Sequence, residues 1–386
     1  MNFNTPIVVV AYDREKSLAR LLNSLKKANY PNSNIELIIS IDFADNNNHV
    51  LEIANDFSWE HGKKTVVYHE ENLGLRKHII KCGDLSQEYG SVIILEDDLL
   101  VSPNFYNYTI SALKFCESDD KIGGISLYNQ QLNVHSKENF SPLEDGFDNW
   151  YLQYASSWGQ AWSANQWKGF KAWYDLGHNL DNNVEVPNYV RRWSEKSWLK
   201  YYIAYLISKD KFFLYPRVAL STNFSDAGTH MLSDSTIYQV PVLCSVKKDY
   251  NFSKLNRSIS VYDAFYENML LHQQLNLKRE DITIDLYGNK DIHRKYLLTS
   301  KILDYKIVQS FSKSIKPIDA NIFFKMPGNE LFLYDTESDA KNIHKKDATR
   351  AIIYNHKYIS PKNALQVVWN YCRHLIRKIF SLFKIM

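Results

Sequence analysis

The sequence predicts an α/β fold, a mostly parallel sheet with helices on both faces. Three observations carry this. From Ile7 to Leu127, short apolar runs of strand length alternate with apolar residues at helical spacing. The runs lack polar alternation, as strands buried on both faces do. Polar residues collect at the carboxyl ends of the runs, the edge where open α/β sheets bind ligands.

The elements follow in order. Ile7 to Ala11 reads as a buried parallel strand. Leu18, Leu21, Leu22 and Leu25 then fall at i, i+3, i+4 and i+7, one stripe of a helix. Ile35 to Ile41 is a second run, ending at Asp42, and Val50, Ile53, Ala54 and Phe57 make a second stripe. Thr65 to Tyr68 is a third strand, followed by a helix face at His78, Ile79, Cys82 and Leu85. Ser91 to Leu95 is a fourth, running into Glu96-Asp97-Asp98. Ser102-Pro103 reads as an N-cap with proline at the first helical position. Ile122 to Leu127 is a fifth strand.

Residues 140–235 differ. They are rich in Trp and Tyr with weak periodicity, and are expected to form substrate-binding loops around a few helices. Trp198 to Leu206 predicts a helix ending near Lys209-Asp210, and Phe212 to Tyr215 a strand closed by Pro216. Ile282 to Tyr287 and Leu331 to Tyr334 look like strands of a smaller unit. The expected division is a nucleotide-binding domain over 1–245, an accessory α/β unit over 246–345 and a tail over 346–386.

Composition narrows the function. The chain has 386 residues, 45% of them hydrophobic, enough for a sizeable core. Lys and Arg number 46 against 43 Asp and Glu, so binding of nucleic acid through bulk charge is excluded. Aromatics reach 14%, which suits stacking on sugars or nucleobases and equally suits core filling. Cys82, Cys116, Cys244 and Cys372 are far apart, which argues against a disulfide framework or a cysteine zinc site and fits a reducing cytoplasm. No basic segment with a long apolar stretch precedes Ile7, so no secretory signal is expected. No run of about 18 apolar residues occurs, so no transmembrane helix is expected.

The tail, Asn363 to Met386, interleaves Trp369, Leu375, Ile376, Ile379, Phe380, Leu382 and Phe383 with Arg373, Arg377, Lys378 and Lys384, and contains no acidic residue. Such a helix lies in an anionic membrane interface or docks on its own domain, and both readings stay open.

The chemistry concentrates at Glu96-Asp97-Asp98. Adjacent carboxylates at a strand end repel one another, and a divalent cation relieves the repulsion. Mg²⁺ or Mn²⁺ suits such hard oxygen ligands and would neutralise charge on a departing nucleoside diphosphate. The plainer reading is an acidic loop capping the next helix. No GxGxxG or Walker sequence occurs, which weakens dehydrogenase and ATPase readings. Val9 to Glu15 contains no glycine, which weakens a sugar nucleotidyltransferase.

Several segments together resemble GT-A glycosyltransferases, and within them bacterial family-2-type surface-polysaccharide enzymes. A more distant similarity is to the eukaryotic α-mannoside β-1,2-N-acetylglucosaminyltransferase. The segments are Val8 to Arg14, Ile39 to Asp42, Ile93 to Pro103, Ser157-Trp158-Gly159-Gln160-Ala161-Trp162, and Pro216 to His230. The resemblance implies a Rossmann-like nucleotide-binding sheet, a nucleotide-sugar donor and a divalent metal. It implies that Arg14 and Asp42 hold the nucleoside, that Asp97 lies near the ribose or donor sugar beside Glu96, and that Asp98 ligates the metal. Arg76 and His78 resemble the segment that closes over the base. For Arg14 and Asp42, a mutual salt bridge is the alternative.

His230, after a glycine in a polar loop, is a candidate third metal ligand or phosphate donor, or a structural histidine. In the eukaryotic relative the catalytic base directly follows a Trp that matches Trp198. Here that position holds Leu199, then Lys200, and neither is a carboxylate. An acceptor hydroxyl needs a positioned base, so Glu195 and then Asp226 are the candidates; Glu195 as a solvated helix-start residue remains the alternative. Trp158, Trp162 and Trp167 are expected to line an acceptor cleft, or to pack in the core.

The expected function is a cytoplasmic, metal-dependent glycosyltransferase, with a UDP-sugar donor and a saccharide acceptor, inverting by single displacement. A lipid-linked precursor of a surface polysaccharide would suit a tail at the inner membrane. The alternatives are a degenerate protein that binds nucleotide sugars or glycans without turnover, and a sugar nucleotidyltransferase.

Overall fold

Four of the apolar runs become the parallel heart of one sheet. The computed structural model describes residues 5–31, 34–180, 183, 185–224, 226, 237–292, 294–345, 348–355 and 360–383. Strands β1 (Ile7–Ala11), β2 (Leu37–Ile41), β3 (Lys64–Tyr68) and β4 (Ser91–Glu96) pair in the order β4-β1-β2-β3, all parallel. Helices α1 (Glu15–Lys26), α2 (Asn48–Asp56) and α3 (Gly74–Asp84) connect them, with a one-turn helix α4 (Ser86–Tyr89) before β4. Side chains of successive strand residues point to opposite faces. Ile7, Val9 and Ala11 pack with the Leu18, Leu21, Leu22 and Leu25 stripe of α1 on one face. Val8 and Val10 pack with Ile79 and Cys82 of α3 on the other.

Beyond β4 the sheet turns mixed. β5 (Leu99–Val101) leaves it and pairs antiparallel with β10 (Ser221–Asn223). Ser102 Oγ accepts the Asn104 N–H in the turn before α5 (Phe105–Phe115), whose N-cap is Asn104, so the expected cap at Ser102 is corrected by two residues. β6 (Ile122–Ser126), β7 (Asn149–Leu152), β8 (Gln160–Ser163), β9 (Phe212–Pro216) and β11 (Val261–Tyr262) complete a nine-stranded sheet, order β11-β7-β9-β6-β8-β4-β1-β2-β3. β8 runs antiparallel to both β4 and β6, and β7 antiparallel to β9. Five of its eight pairings are parallel, as the expected mostly parallel sheet has them, and β8 runs antiparallel between two parallel blocks.

Residues 140–235 also differ from the expected loops. Besides β7 to β10 they form α6 (Ala164–Tyr174), the one-turn α7 (Asn188–Arg191) and α8 (Trp198–Ser208). Their aromatics are core: Trp150, Trp162, Trp167 and Trp198 are each at most 1% exposed. Ser163 and Gln166 form a capping box that starts α6. Gly83 of α3 lets Trp167 lie against the helix backbone, since a Cβ there would sit 2.1 Å from the indole ring.

A second sheet follows. β12 (Ile282–Asp285), β13 (Tyr296–Thr299), β14 (Tyr305–Phe311) and β15 (Leu331–Asp339) lie in the order β12-β13-β15-β14, over a core that includes Leu298, Ile322 and Leu333. The short helices α9 (Leu271–Gln274) and α10 (Ala320–Phe323) border it. Asp319 accepts a hydrogen bond from Tyr262 of β11, tying this unit to the large sheet. Last come α11 (Ala348–Asn355) and α12 (Pro361–Phe383). No described helix is long and apolar enough to cross a membrane.

Candidate active site

The carboxyl ends of β1, β2 and β4 bring Arg14, Asp42 and the Glu96-Asp97-Asp98 turn to one edge. Each follows directly from strand length. β1 ends at Ala11, so Arg14 stands just before α1. β4 ends at Glu96, so the two aspartates form the turn into β5. The Asp97 N–H still reaches the Val10 carbonyl, at 3.1 Å.

Arg14 binds this turn as a fork. One nitrogen donates to Asp98 Oδ2 at 3.0 Å and the other to Asp97 Oδ1. Its partners are these two aspartates, which settles the sequence alternative of a pair with Asp42. Burial alone would lower the Arg14 pKa, but the charges of Asp97 and Asp98 outweigh it and raise it. Burial pushes Asp97 up to about 7 against the pull of Arg14. Burial, then the charge of Asp98, pushes Glu96 up to about 8. Trp198, at the start of α8, favours the charged form of Glu96 against these effects.

Asp98 keeps one oxygen, Oδ1, buried and without a partner. A buried unpaired carboxylate oxygen is costly, and a divalent cation at Asp98 would satisfy it. Among the described residues no three His, Cys, Asp or Glu side chains form a metal-holding group. An ion at Asp98 would have to be completed by donor phosphates and water, as Mg²⁺ often is.

Asp42 has a different setting from the one expected. It is 3% exposed, and its carboxylate accepts the backbone N–H groups of Phe43, Leu73 and Gly74 at 2.8 to 3.0 Å. It fixes the entry to α3. Asn47 braces the same edge, donating to the carbonyls of Tyr12 and Asp42. His78 was expected over the base but is buried, and its Nε2 sits 2.7 Å from Ser40 Oγ. This corrects its direct contact with a nucleotide: at i+4 from Gly74 it falls on the inward face of α3. Arg76, on the outward face, lies over the ring of Tyr201 at 5.1 Å.

The two base candidates lie on opposite sides of the edge. Glu195 is 64% exposed at its side chain and holds the buried Lys200 at 2.5 Å, with Tyr201 donating to its other oxygen. These bonds hold its pKa below the usual range. It lines an open cavity of about 290 Å³ with His178, Asn179 and Tyr201. Asp226 accepts from Ser17 at 2.6 Å and from Arg20. Burial would raise its pKa, but the Arg20 and Ser17 bonds outweigh it. Arg20 in turn stacks 3.8 Å over Phe224, whose N–H donates to the Asp98 carbonyl.

Of the tryptophans expected at an acceptor, Trp162 is fully buried, packed on Trp167, Trp198 and Tyr202. That corrects its placement at a cleft, and Trp167's with it, because β8 is an interior strand. Trp158 is only half-buried, 4.8 Å from the Tyr238 ring, and Gly159 beside it takes φ of +90°. His230 lies outside the described residues.

Sequence reasoning missed Ser17, Arg20, Trp198 and Tyr201. A signal existed for two of them: Arg14, Ser17 and Arg20 recur every third residue, one side of the first turns of α1. The other two approach through tertiary packing alone.

Residues 7–159 match the family described as Glycosyl transferase family 2. Comparison with curated proteins gives no match. Among solved structures, the chain is similar to S. aureus TarS 1-349 in complex with UDP, with 16% identity over 56% of this chain and 59% of that one and a TM-score of 0.36. It is similar to the mannosyltransferase PcManGT from Pyrobaculum calidifontis in complex with GDP-Man and Mn²⁺, with 14% identity over 56% and 57% and a TM-score of 0.33. A third is GalNAc-T7 with UDP, GalNAc and Mn²⁺, with 13% identity over 56% and 43% and a TM-score of 0.36. The match covers less than two thirds of each of those chains, and at these scores the likeness assigns no role to any residue here. The family match covers residues 7–159, the part of the chain that holds β1 to β4 and the Glu96-Asp97-Asp98 turn.

Proposed function

We propose that the chain is a metal-dependent glycosyltransferase that moves a sugar from a nucleotide-sugar donor, a UDP-sugar, to a saccharide acceptor. The observation that carries this reading is the buried, unpartnered Oδ1 of Asp98 at the carboxyl edge, beside the Arg14 fork. A divalent cation bound there would offset charge on the departing diphosphate.

The chain's own residues supply the rest. Arg14 holds Asp97 and Asp98 in one orientation, so the edge is organised before a donor arrives. Asp42 sets the start of α3 and through it Arg76, the cation we place over the nucleoside. We place Glu96, whose Oε1 is buried without a partner, beside the donor sugar. For the acceptor hydroxyl we assign the base to Glu195: both candidates are held by a cation and a hydroxyl, and Glu195 is the one that borders the open cavity. Glu195 Oε2 would take the proton as the hydroxyl attacks the anomeric carbon, inverting it, and Tyr201 steadies that carboxylate. Trp158 is the aromatic face left for an acceptor ring. A lipid-linked surface-polysaccharide precursor, met on the cytoplasmic side, is the acceptor class we favour.

The test is a thermal-shift panel of UDP, UDP-sugars and GDP-sugars, each with Mn²⁺ and with EDTA. Ligand that binds only the folded state raises the midpoint. A metal-dependent shift with UDP, lost in Asp98→Asn, is the expected result. No shift with any nucleotide overturns the reading. Donor binding without turnover on any acceptor would favour the degenerate alternative.

A further inference from the structure

The transferase reading leaves α12 unused, and α12 carries its own signals. The charge of the chain is divided unevenly. The last 39 residues, from Ala348 on, hold seven of the 46 Lys and Arg and none of the 43 Asp and Glu. The first 347 therefore carry 39 basic against 43 acidic residues. A balanced total hides an acidic body and a basic tail.

The helix is also divided along its length. Leu365, Val368, Trp369, Cys372 and Leu375 recur at i, i+3, i+4, i+7 and i+10, and the sequence extends the series at Ile376, Ile379, Phe380 and Phe383. Lys362, Gln366, Asn370, Arg373 and Arg377 recur at three- and four-residue steps on the other side. The two series split the helical wheel into halves. Ser360 caps the helix, accepting the Asn363 N–H, and Pro361 stands at its first position.

The described apolar side chains of this series are uncovered. Leu365 is 71% exposed, Val368 60%, Trp369 62% and Leu375 43%. The preceding helix is fastened: Tyr354 of α11 donates to the Ile315 carbonyl at 2.8 Å, and Asn139 donates to the Asn355 carbonyl. The chain is therefore anchored just before an amphipathic helix that buries little of itself.

We propose that α12 lies flat in the interface of an anionic lipid bilayer, its apolar half at the acyl boundary and its cations among the headgroups. Three arguments select this occupant. At 23 residues and about 1.5 Å per residue the helix has the length to cross a bilayer, but its basic side forbids crossing and suits lying in the plane. Pairing with a second copy would set like charges along both flanks of the apolar seam, with no acidic residue in α12 to match them. The acidic body is repelled by an anionic surface, so the tail alone directs attachment and sets which part of the molecule meets the lipid. Docking here does not rest on the donor chemistry proposed above.

The experiment is co-sedimentation of the full chain with vesicles of phosphatidylcholine alone, or with one third phosphatidylglycerol, at low and high salt. Binding is expected to the anionic vesicles, weakened by salt. Each cation near such a surface contributes about five-fold in partition, so Arg373→Glu with Arg377→Glu should lower it by more than about twenty-fold. Leu365→Asp with Trp369→Asp should remove it at any salt. In both double variants the UDP thermal shift should equal that of the unaltered chain, which separates a failure here from a failure of the donor reading. Equal binding to neutral vesicles, or no binding to either, overturns the proposal. So does a dimer by light scattering that Trp369→Asp dissolves, since a second copy would then be the occupant.

Discussion

The edge residues at the ends of β1 and β4 and the aromatic block of residues 149–215 are both dense in residues that glycan-binding sites use. In the second, Trp150, Trp162, Trp167 and Trp198 lie out of a ligand's reach, while Trp158 and Glu195 stay at the surface. Arg14, Asp97 and Asp98 converge because parallel strands end together, and the turn leaves a carboxylate oxygen unpaired. Trp150, Trp162, Trp167 and Trp198 converge because β8 and α8 pack against each other across a sheet face, and nothing reaches them. Residue type suggested function in both regions. Position relative to the strand ends separates them.

Substitutions on each side should therefore fail differently. The largest effect is expected at Asp98. Asp98→Asn keeps the shape and a hydrogen bond from Arg14 but loses the charge that would hold a cation. Turnover should fall by at least three orders of magnitude, about 4 kcal/mol of barrier, while the melting midpoint stays within a few degrees. A midpoint collapse would make Asp98 a structural residue like those of the other region. Trp162→Ala should do the reverse. Loss of a buried indole costs about 3–5 kcal/mol, measured by urea unfolding, while metal-dependent UDP binding by the remaining folded protein is retained. Loss of UDP affinity without loss of stability would return Trp162 to the site.

The sequence made the first region legible for a physical reason. β1, β2 and β4 are buried on both faces, so they appear as unbroken apolar runs, and the helices between them bury one face and show a stripe. β7 and β8 are equally buried but only four residues long, reading Asn-Trp-Tyr-Leu and Gln-Ala-Trp-Ser. Neither alternation nor an apolar run can show in so few residues. β5 and β10, three residues each, are hidden the same way. At the site, charge crowding marked the Glu96-Asp97-Asp98 turn, and the family resemblance singled out Asp98 within it. Asp42 was found, but not that its oxygens serve Leu73 and Gly74, because those N–H groups arrive from another turn. Glu195 was found without Lys200 as its partner, since nothing in the spacing shows a lysine turned inward.

Two histidines, His78 on α3 beside the first region and His135 beside the aromatic block, extend the comparison to acid. His78 is lowered by burial to about 4. The partly buried His135 is lowered by burial to about 4, with Nε2 on the Ala264 carbonyl at 2.8 Å. In the unfolded chain both titrate near 6.5. Between about pH 6.5 and 4 the unfolded state therefore binds more protons, and folding stability falls as pH falls through that window. Each histidine contributes up to about 3 kcal/mol of that loss. His135→Gln should flatten the fall in urea-unfolding free energy between pH 7 and 4.5 relative to the unaltered chain. An unchanged slope would mean that His135 titrates normally and is reached by water.

The smallest effect is expected at the seam between the regions. Gly83 of α3 faces Trp167 of α6 so closely that an added Cβ would lie 2.1 Å from the ring, and the indole is held in place by its own bond to Asp84 at 2.7 Å. Gly83→Ala should gain a little helix propensity but force the indole to move, a net loss of about 1–3 kcal/mol as for other overpacked cores. Trp167→Phe alone should also destabilise, since it removes ring volume and strands Asp84. In the double variant the smaller ring makes room for the methyl, so the two losses should not add; the shortfall is the coupling energy of residues in contact. Strict additivity would mean that α3 and α6 do not meet at this point. A shortfall that also shifts UDP affinity would mean that the aromatic block reaches the nucleotide through α3, and the division between a reacting edge and an inert core would then have to be redrawn along that helix.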